Sequence, residues 1–184
     1  PEPQKMFHEN YAFYSSLSSH MQLHFKEFYN FISSQENYDR DSLVVELGCN
    51  DGILLENFSK KNLPHVGVEP SKNVAEVAEK KNVNVIQDFF NEDTVNQILK
   101  TYGHAEFFVA ANVICHIPNI IELIQNIKLL LSKTGKVIFE DPYLGDVINK
   151  TSYDQIYDEH VFLFSAHSVQ YMFDLFEMEL IDLV

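Results

Sequence analysis

The sequence predicts an α/β fold with a doubly wound, mostly parallel sheet, and three observations carry that reading. The stretch Leu43 to Gly52, LVVELGCNDG, is an apolar strand that runs into a glycine turn, and the amphipathic run ILLENFSKK follows it. A second apolar run, His65 to Glu69 (HVGVE), ends on an acid. Beyond it, short apolar runs alternate with stretches of helical period to the end of the chain. That alternation is the signature of parallel strands covered by helices on both faces.

Each element has its own local signal. Gln4 to Ser19 is rich in aromatics and serine, lacks a clean period, and reads as an irregular lead-in. Ser18 or Ser19 caps a helix from His20 to Ile32, whose apolar residues are Met21, Leu23, Phe25, Phe28, Tyr29 and Ile32. Gln35 to Ser42 is a polar loop, and ILLENFSKK is the helix after the glycine turn. Ser71, after Glu69 and Pro70, is the expected cap of a helix from Asn73 to Lys81. Asn84 to Gln87 is a third strand, and Asn91 to Tyr102 a helix. Glu106 to Ala111 is a buried strand. Asn119 caps a helix from Ile120 to Leu131 that Thr134-Gly135 stops, and Lys136 to Asp141 is the fifth strand. Ser165 to Phe176 forms a last helix, and Glu179 to Val184 starts a sixth strand.

Composition narrows the function. A chain of 184 residues makes one well-buried domain rather than two. Twenty-seven acids against 13 bases leave a net charge of −14, which repels phosphate backbones and argues against nucleic acid as a partner. Lys60-Lys61 and Lys80-Lys81 are isolated pairs at helix ends, not a basic patch. Two cysteines, Cys49 and Cys115, are too few for a zinc ribbon or a disulfide framework. No apolar run is long enough to span a membrane and no signal peptide opens the chain, so a reducing cytoplasm is the default compartment. The opening Pro1-Glu2-Pro3, without methionine, reads as a cut through a linker.

The glycine turn and the acid of the second strand fit a nucleoside cofactor at the carboxyl edge of the sheet. A dinucleotide fingerprint wants glycine two and five positions after the first, where this chain has Asn50 and Ile53. The pattern E-x-G-x-N-x-G, from Glu46 through Gly48, Cys49 and Asn50 to Gly52, instead resembles motif I of the class I S-adenosylmethionine-dependent methyltransferases. The resemblance implies a Rossmann-like sheet, a glycine loop around the methionine part of S-adenosylmethionine, and Glu69 on the ribose. Such sheets close with an antiparallel seventh strand, and the sequence stops before one. Pro70 follows the ribose acid, and Asn112 ends the fourth strand. Asp88 suits the exocyclic amine of an adenine, with the ring of Phe89 to stack on. A loop acid and a core aromatic are the plain structural alternatives.

The connection Ser152 to Ser165, SYDQIYDEHVFLFS, concentrates Tyr153, Tyr157, Asp158, Glu159 and His160 where catalytic loops sit. A histidine flanked by carboxylates and a tyrosine suits acid/base work. Asp158, Glu159, His160 and His167 do not have metal-ligand spacing, so no metal is expected. With QKMFHENYAFYSSLSSHM, VELGCNDGILL, GVEPSKNVA and NVICHIPN, this run resembles the sugar C-methyltransferases of deoxysugar biosynthesis. Those enzymes place a methyl on C3 of nucleotide-linked 4-keto-6-deoxysugars. The resemblance implies that Tyr157, Glu159 and His160 sit at the reacting carbon, with Tyr11, Tyr14, Asn112 and His116 around the sugar. Residues 1–42 then form an aromatic and helical segment capping the cofactor site, and 43–184 the methyltransferase domain. Family members usually add an amino-terminal four-cysteine zinc module and a carboxyl-terminal domain, neither of which is in this sequence, and commonly have histidine where Asp158 stands.

The expected mechanism uses His160, held by Glu159, to remove the C3 proton, with Tyr157 or His116 donating to the enolate oxygen. The alternatives are another small-molecule O- or N-methyltransferase, a non-catalytic S-adenosylmethionine-binding fragment that needs a partner, and a nicotinamide dehydrogenase.

Overall fold

A computed structural model describes residues 3–184, so Pro1 and Glu2 of the expected linker lie outside the described residues. Five parallel strands form one sheet in the order β3-β2-β1-β4-β5. They are β1 (Val44–Leu47), β2 (His65–Val68), β3 (Val85–Ile86), β4 (Ala105–Ala111) and β5 (Leu131–Glu140). Leu47 stands opposite both Val68 and Ala110, so the carboxyl ends of the three central strands are level. The order reverses between β1 and β4, and open α/β sheets bind ligands at such a switch point.

Among the described residues, eight α-helices accompany the sheet: α1 (Pro3–Met6), α2 (Ser19–Ser33), α3 (Glu56–Ser59), α4 (Lys72–Lys80), α5 (Glu92–Thr101), α6 (Ile120–Leu130), α7 (Leu144–Lys150) and α8 (Ala166–Asp174). Strand side chains alternate between two cores. Val45 and Leu47 join Val95 and Ile98 of α5 and Leu123, Ile127 and Leu130 of α6. Val44 joins Phe25, Phe28, Tyr29 and Ile32 of α2, with Phe58 and Ala78 from α3 and α4. Ile32, Phe58 and Phe107 are fully buried, and each such side chain contributes roughly 1.5–3 kcal/mol. The α2 spacing of i, i+3, i+4 and i+7 sets its buried stripe, whereas Leu23, off that stripe, is exposed.

The helix starts follow side-chain chemistry. Ser18 Oγ accepts from the Met21 N–H at 3.3 Å, so Ser18 rather than Ser19 caps α2. Asn91 and Thr94 form a reciprocal capping box on α5, and Ser165 and Ser168 form one on α8. Ser71 does not cap α4: its Oγ is buried without a partner, and its N–H donates to Glu69 Oε1 instead.

Other expectations are corrected. ILLENFSKK forms a regular helix only over Glu56–Ser59. Ile53, Leu54, Leu55 and Phe58 are all buried, so the segment packs on several sides and winds as mixed turns rather than as an amphipathic helix. The helix from Ile120 stops at Leu130, ahead of Thr134-Gly135, which lies in an irregularity of β5. A Cβ on Gly135 would meet the Ala105 oxygen at 2.9 Å, so only glycine lets the strands close there. Residues 144–150, between the expected fifth strand and the Ser152 to Ser165 connection, form α7. The sixth strand does not form: residues 178–184 are irregular, with Ile181 and Leu183 exposed. An edge strand is held by ladder hydrogen bonds, and among the described residues none forms there. No described helix is long and apolar enough to cross a membrane.

Candidate active site

The glycine turn lies where β1 ends. Gly48 and Gly52 have φ of +67° and +76°, the left-handed region that a Cβ disfavours. A Cβ on Gly48 would lie 2.6 Å from Val113 Cγ2, and one on Gly52 2.9 Å from Ala78 Cβ. The protein itself fills both positions. Cys49 is also turned inward, with its Sγ packed against Gly67 in the core rather than toward the pocket edge.

Acids surround the turn. Glu46 is buried, its Oε2 has no partner, and burial with Glu69 and Asp51 nearby pushes its carboxyl well above the usual range. Glu69 is buried too, accepting from Asn50 N–H at 3.0 Å and Ser71 N–H at 2.8 Å. Burial raises its carboxyl in spite of those donors. Pro70 beside it is half-buried.

The amino-terminal segment is stapled onto this turn. Asn50, itself left-handed, accepts from Ser15 N–H at 3.0 Å and donates to the Phe13 oxygen at 3.1 Å, so its amide is committed to the segment. Asp51, 1% exposed, accepts from the Ser16 N–H and hydroxyl and pairs with Lys81 at 3.7 Å. Asn73 of α4 accepts from the Tyr11 N–H and donates to the Tyr11 oxygen and to Tyr14 Oη.

The second cluster forms where the 157–162 loop docks on the turn after β4. The N–H groups of Val161 and Phe162 donate to the Cys115 oxygen at 2.9 and 3.2 Å. That docking places the His160 ring 5.0 Å from His116 and 4.2 Å from Tyr157, centroid to centroid. Phe7 meets His116 edge-on at 6.0 Å and Tyr11 at 5.8 Å. Burial raises the Tyr11 phenol, with Glu159, Glu69 and Tyr157 adding to the effect. Tyr11 therefore lies within electrostatic reach of both the acid of β2 and the histidine loop.

The histidine's anchor differs from the expected one. His160 Nδ1 lies 2.8 Å from the Gln155 oxygen, and His116 Nδ1 lies 2.8 Å from the Glu159 oxygen. A carbonyl only accepts, so each ring carries a proton on Nδ1, and in the neutral ring the lone pair lies on Nε2. Glu159 thus acts through its main chain on His116, while its exposed carboxylate does not hold His160. Burial lowers the His116 pKa, which keeps that ring neutral. Burial, then Glu159, raises Tyr157, which keeps its phenol protonated.

The sequence of residues 17–183 matches the methyltransferase domain family. The chain belongs to that family. It is 28% identical over 181 residues to the C-methyltransferase NovU of Streptomyces niveus, covering 98% of this chain and 43% of NovU, so it spans less than half of that relative. In structure it resembles a SAM-dependent methyltransferase from Archaeoglobus fulgidus, with a TM-score of 0.61, 15% identity, and coverage of 84% of this chain and 67% of that one. The plantazolicin methyltransferase BpumL, in complex with SAH, superposes with a TM-score of 0.63 at 14% identity, over 83% of this chain and 61% of BpumL.

A methyltransferase domain of this fold is S-adenosylmethionine-dependent, and the strand ends of this one suit that cofactor. The orphaned buried oxygen on Glu46 and the carboxyl of neighbouring Glu69 offer polar partners to a nucleoside. Asp88 and Phe89 lie at the end of β3; Asp88 is exposed and accepts its neighbour's N–H, and Phe89 is half-buried. Phe90, not Phe89, packs on the core, tilted against Phe108 with ring centroids 5.3 Å apart. Asn112 is exposed and left-handed, with its N–H donated to the Glu140 oxygen at 2.7 Å. Sequence reasoning missed Phe7, Asp51, Asn73 and the Gln155 carbonyl. The aromatic density around Phe7 was a usable signal; a main-chain acceptor leaves none.

Proposed function

We propose that this methyltransferase domain transfers a methyl from S-adenosylmethionine to C3 of a nucleotide-linked 4-keto-6-deoxysugar, through an enolate. The observation that carries this reading is the free Nε2 of His160, set by the Gln155 carbonyl and flanked by a protonated Tyr157. An O- or N-methyltransferase has less need of such a base, because only a carbon acceptor must first lose a C–H proton. The 28% identity to a C-methyltransferase along nearly the whole chain supports the same reading.

In this mechanism Glu69 holds the ribose hydroxyls, the turn from Glu46 to Gly52 holds the methionine part, and Asp88 and Phe89 receive the adenine. Bound S-adenosylmethionine supplies an electrophilic methyl and leaves as the demethylated thioether. His160 Nε2 takes the C3 proton, which the neighbouring ketone makes acidic. The Tyr157 hydroxyl donates to the developing enolate oxygen, a role worth about 2.7–4 kcal/mol for a well-placed donor. His116, with a lone pair at Nε2, accepts from a sugar hydroxyl and is not the oxyanion donor. Tyr11, Tyr14 and Asn112 border the sugar, and the stapled segment of residues 3–42 excludes water from above.

The test is product analysis with carbon-13-methyl cofactor and a nucleotide 4-keto-6-deoxysugar. A methyl signal coupled directly to a ring carbon is expected. A methoxy or N-methyl product contradicts the reading.

A further inference from the structure

We propose that Cys115, His116 and His160 form a binding site for a soft divalent cation of the zinc type, and that its occupancy switches the active site off. One ligand atom from each of the three lies within 4.8 Å of the other two. Zinc bonds of about 2.0–2.3 Å in tetrahedral geometry place ligand atoms roughly 3.3–3.8 Å apart, so side-chain rotation of about an ångström closes the trio. Both rings already have the outer contacts that zinc-bound histidines show. Each gives its Nδ1–H to a main-chain carbonyl at 2.8 Å, which leaves Nε2 as the donor atom.

A separate observation points to a cation at the same place. Asp141, just past β5, has both carboxylate oxygens buried, and the Cys115 thiol and the N–H groups of Cys115 and Val113 face them without closing a full hydrogen bond. Buried carboxylates are ordinarily paired or close to a metal. The donor set also selects the ion, since thiolate and imidazole favour zinc over magnesium or calcium. Binding releases the thiol proton and leaves a fourth position for water. The sequence pattern around Asp158, Glu159 and His167 concealed the site, because those side chains are exposed and the partners of His160 come from the turn after β4. Inhibition, though not binding, rests on His160 being the base: the metal takes the lone pair that would remove the proton.

Cobalt(II) titration of the protein tests this directly, because Cys49 and Cys115 are its only thiols. A thiolate-to-cobalt charge-transfer band is expected at one equivalent, displaced by zinc and unaffected by magnesium. Cys115→Ser removes the band, Cys49→Ala keeps it, and His160→Asn weakens binding at least tenfold. Methyl transfer falls in step with occupancy and returns with a chelator. No thiolate band, or one that survives Cys115→Ser, overturns the site. Thermal stabilisation by S-adenosylhomocysteine verifies that each variant is folded, with Cys115→Ala replacing any serine variant that is not. The band is independent of where the methyl goes, so the site and the C-methylation reading fail separately.

Discussion

His160 Nδ1 sits 2.8 Å from the main-chain oxygen of Gln155, and that single contact decides which nitrogen of the ring is basic. His160→Asn removes the base while keeping a polar side chain of similar reach. The expected loss is about 10²–10⁴ in turnover, with S-adenosylhomocysteine affinity unchanged by calorimetry. Equal loss of turnover and cofactor affinity would make the histidine structural.

Gly48 answers to two constraints that can be separated. Its φ of +67° costs a side chain about 1–2 kcal/mol, and the 2.6 Å approach of Val113 adds a steric cost of roughly 1–3 kcal/mol. Gly48→Ala is expected to show both in urea unfolding. Adding Val113→Ala should recover the steric part and leave the dihedral part. Full recovery would mean that the turn relaxes its backbone.

Asp51 is the buried end of the staple holding Ser16, with Lys81 beside it. Asp51→Asn keeps the shape and removes the charge, at an expected cost of about 1–3 kcal/mol. Residues 10–16 should then be cut faster in limited proteolysis, and cofactor should dissociate faster. Unchanged cleavage would show that Asn50 and Asn73 hold the segment without it.

Asp141 makes stability depend on pH. Burial raises its carboxyl from 3.8 to about 6, against the adjacent Cys115 thiol. The folded state therefore keeps this proton to higher pH than the unfolded chain does. Stability from this group is full below the unfolded value, falls as pH rises through the window, and reaches its lowest contribution above about 6. A shift of about two units corresponds to about 3 kcal/mol at most. Asp141→Asn, measured in chelator, should exceed the wild type in urea unfolding near pH 8 and match it near pH 4. Equal stability at both would mean that the carboxylate finds solvent.

The sheet was legible because β1, β2 and β4 are apolar runs whose period and terminal residues declare themselves in one dimension. Gly48, Glu69 and His160 were legible because a turn, a strand end and a loop dense in titratable groups leave local marks. Other features depend on the third dimension. Val113 beside Gly48 and Cys115 beside His160 are contacts between distant segments, and the anchor of His160 is a carbonyl that any residue supplies. The short α3 misled because Leu54, Leu55 and Phe58 are buried on several sides, a state that mimics amphipathic spacing. The sixth strand misled because a short apolar-rich run does not say whether an edge receives it.

The central claim is that His160 creates a carbanion equivalent before the methyl moves. It is measured most directly by incubating the protein and S-adenosylhomocysteine with a nucleotide 4-keto-6-deoxysugar in deuterium oxide and following C3 by proton NMR. Loss of the C3 proton signal with wild type, and its persistence with His160→Asn, is the expected result. A C3 proton that never exchanges while methyl transfer proceeds would contradict the account.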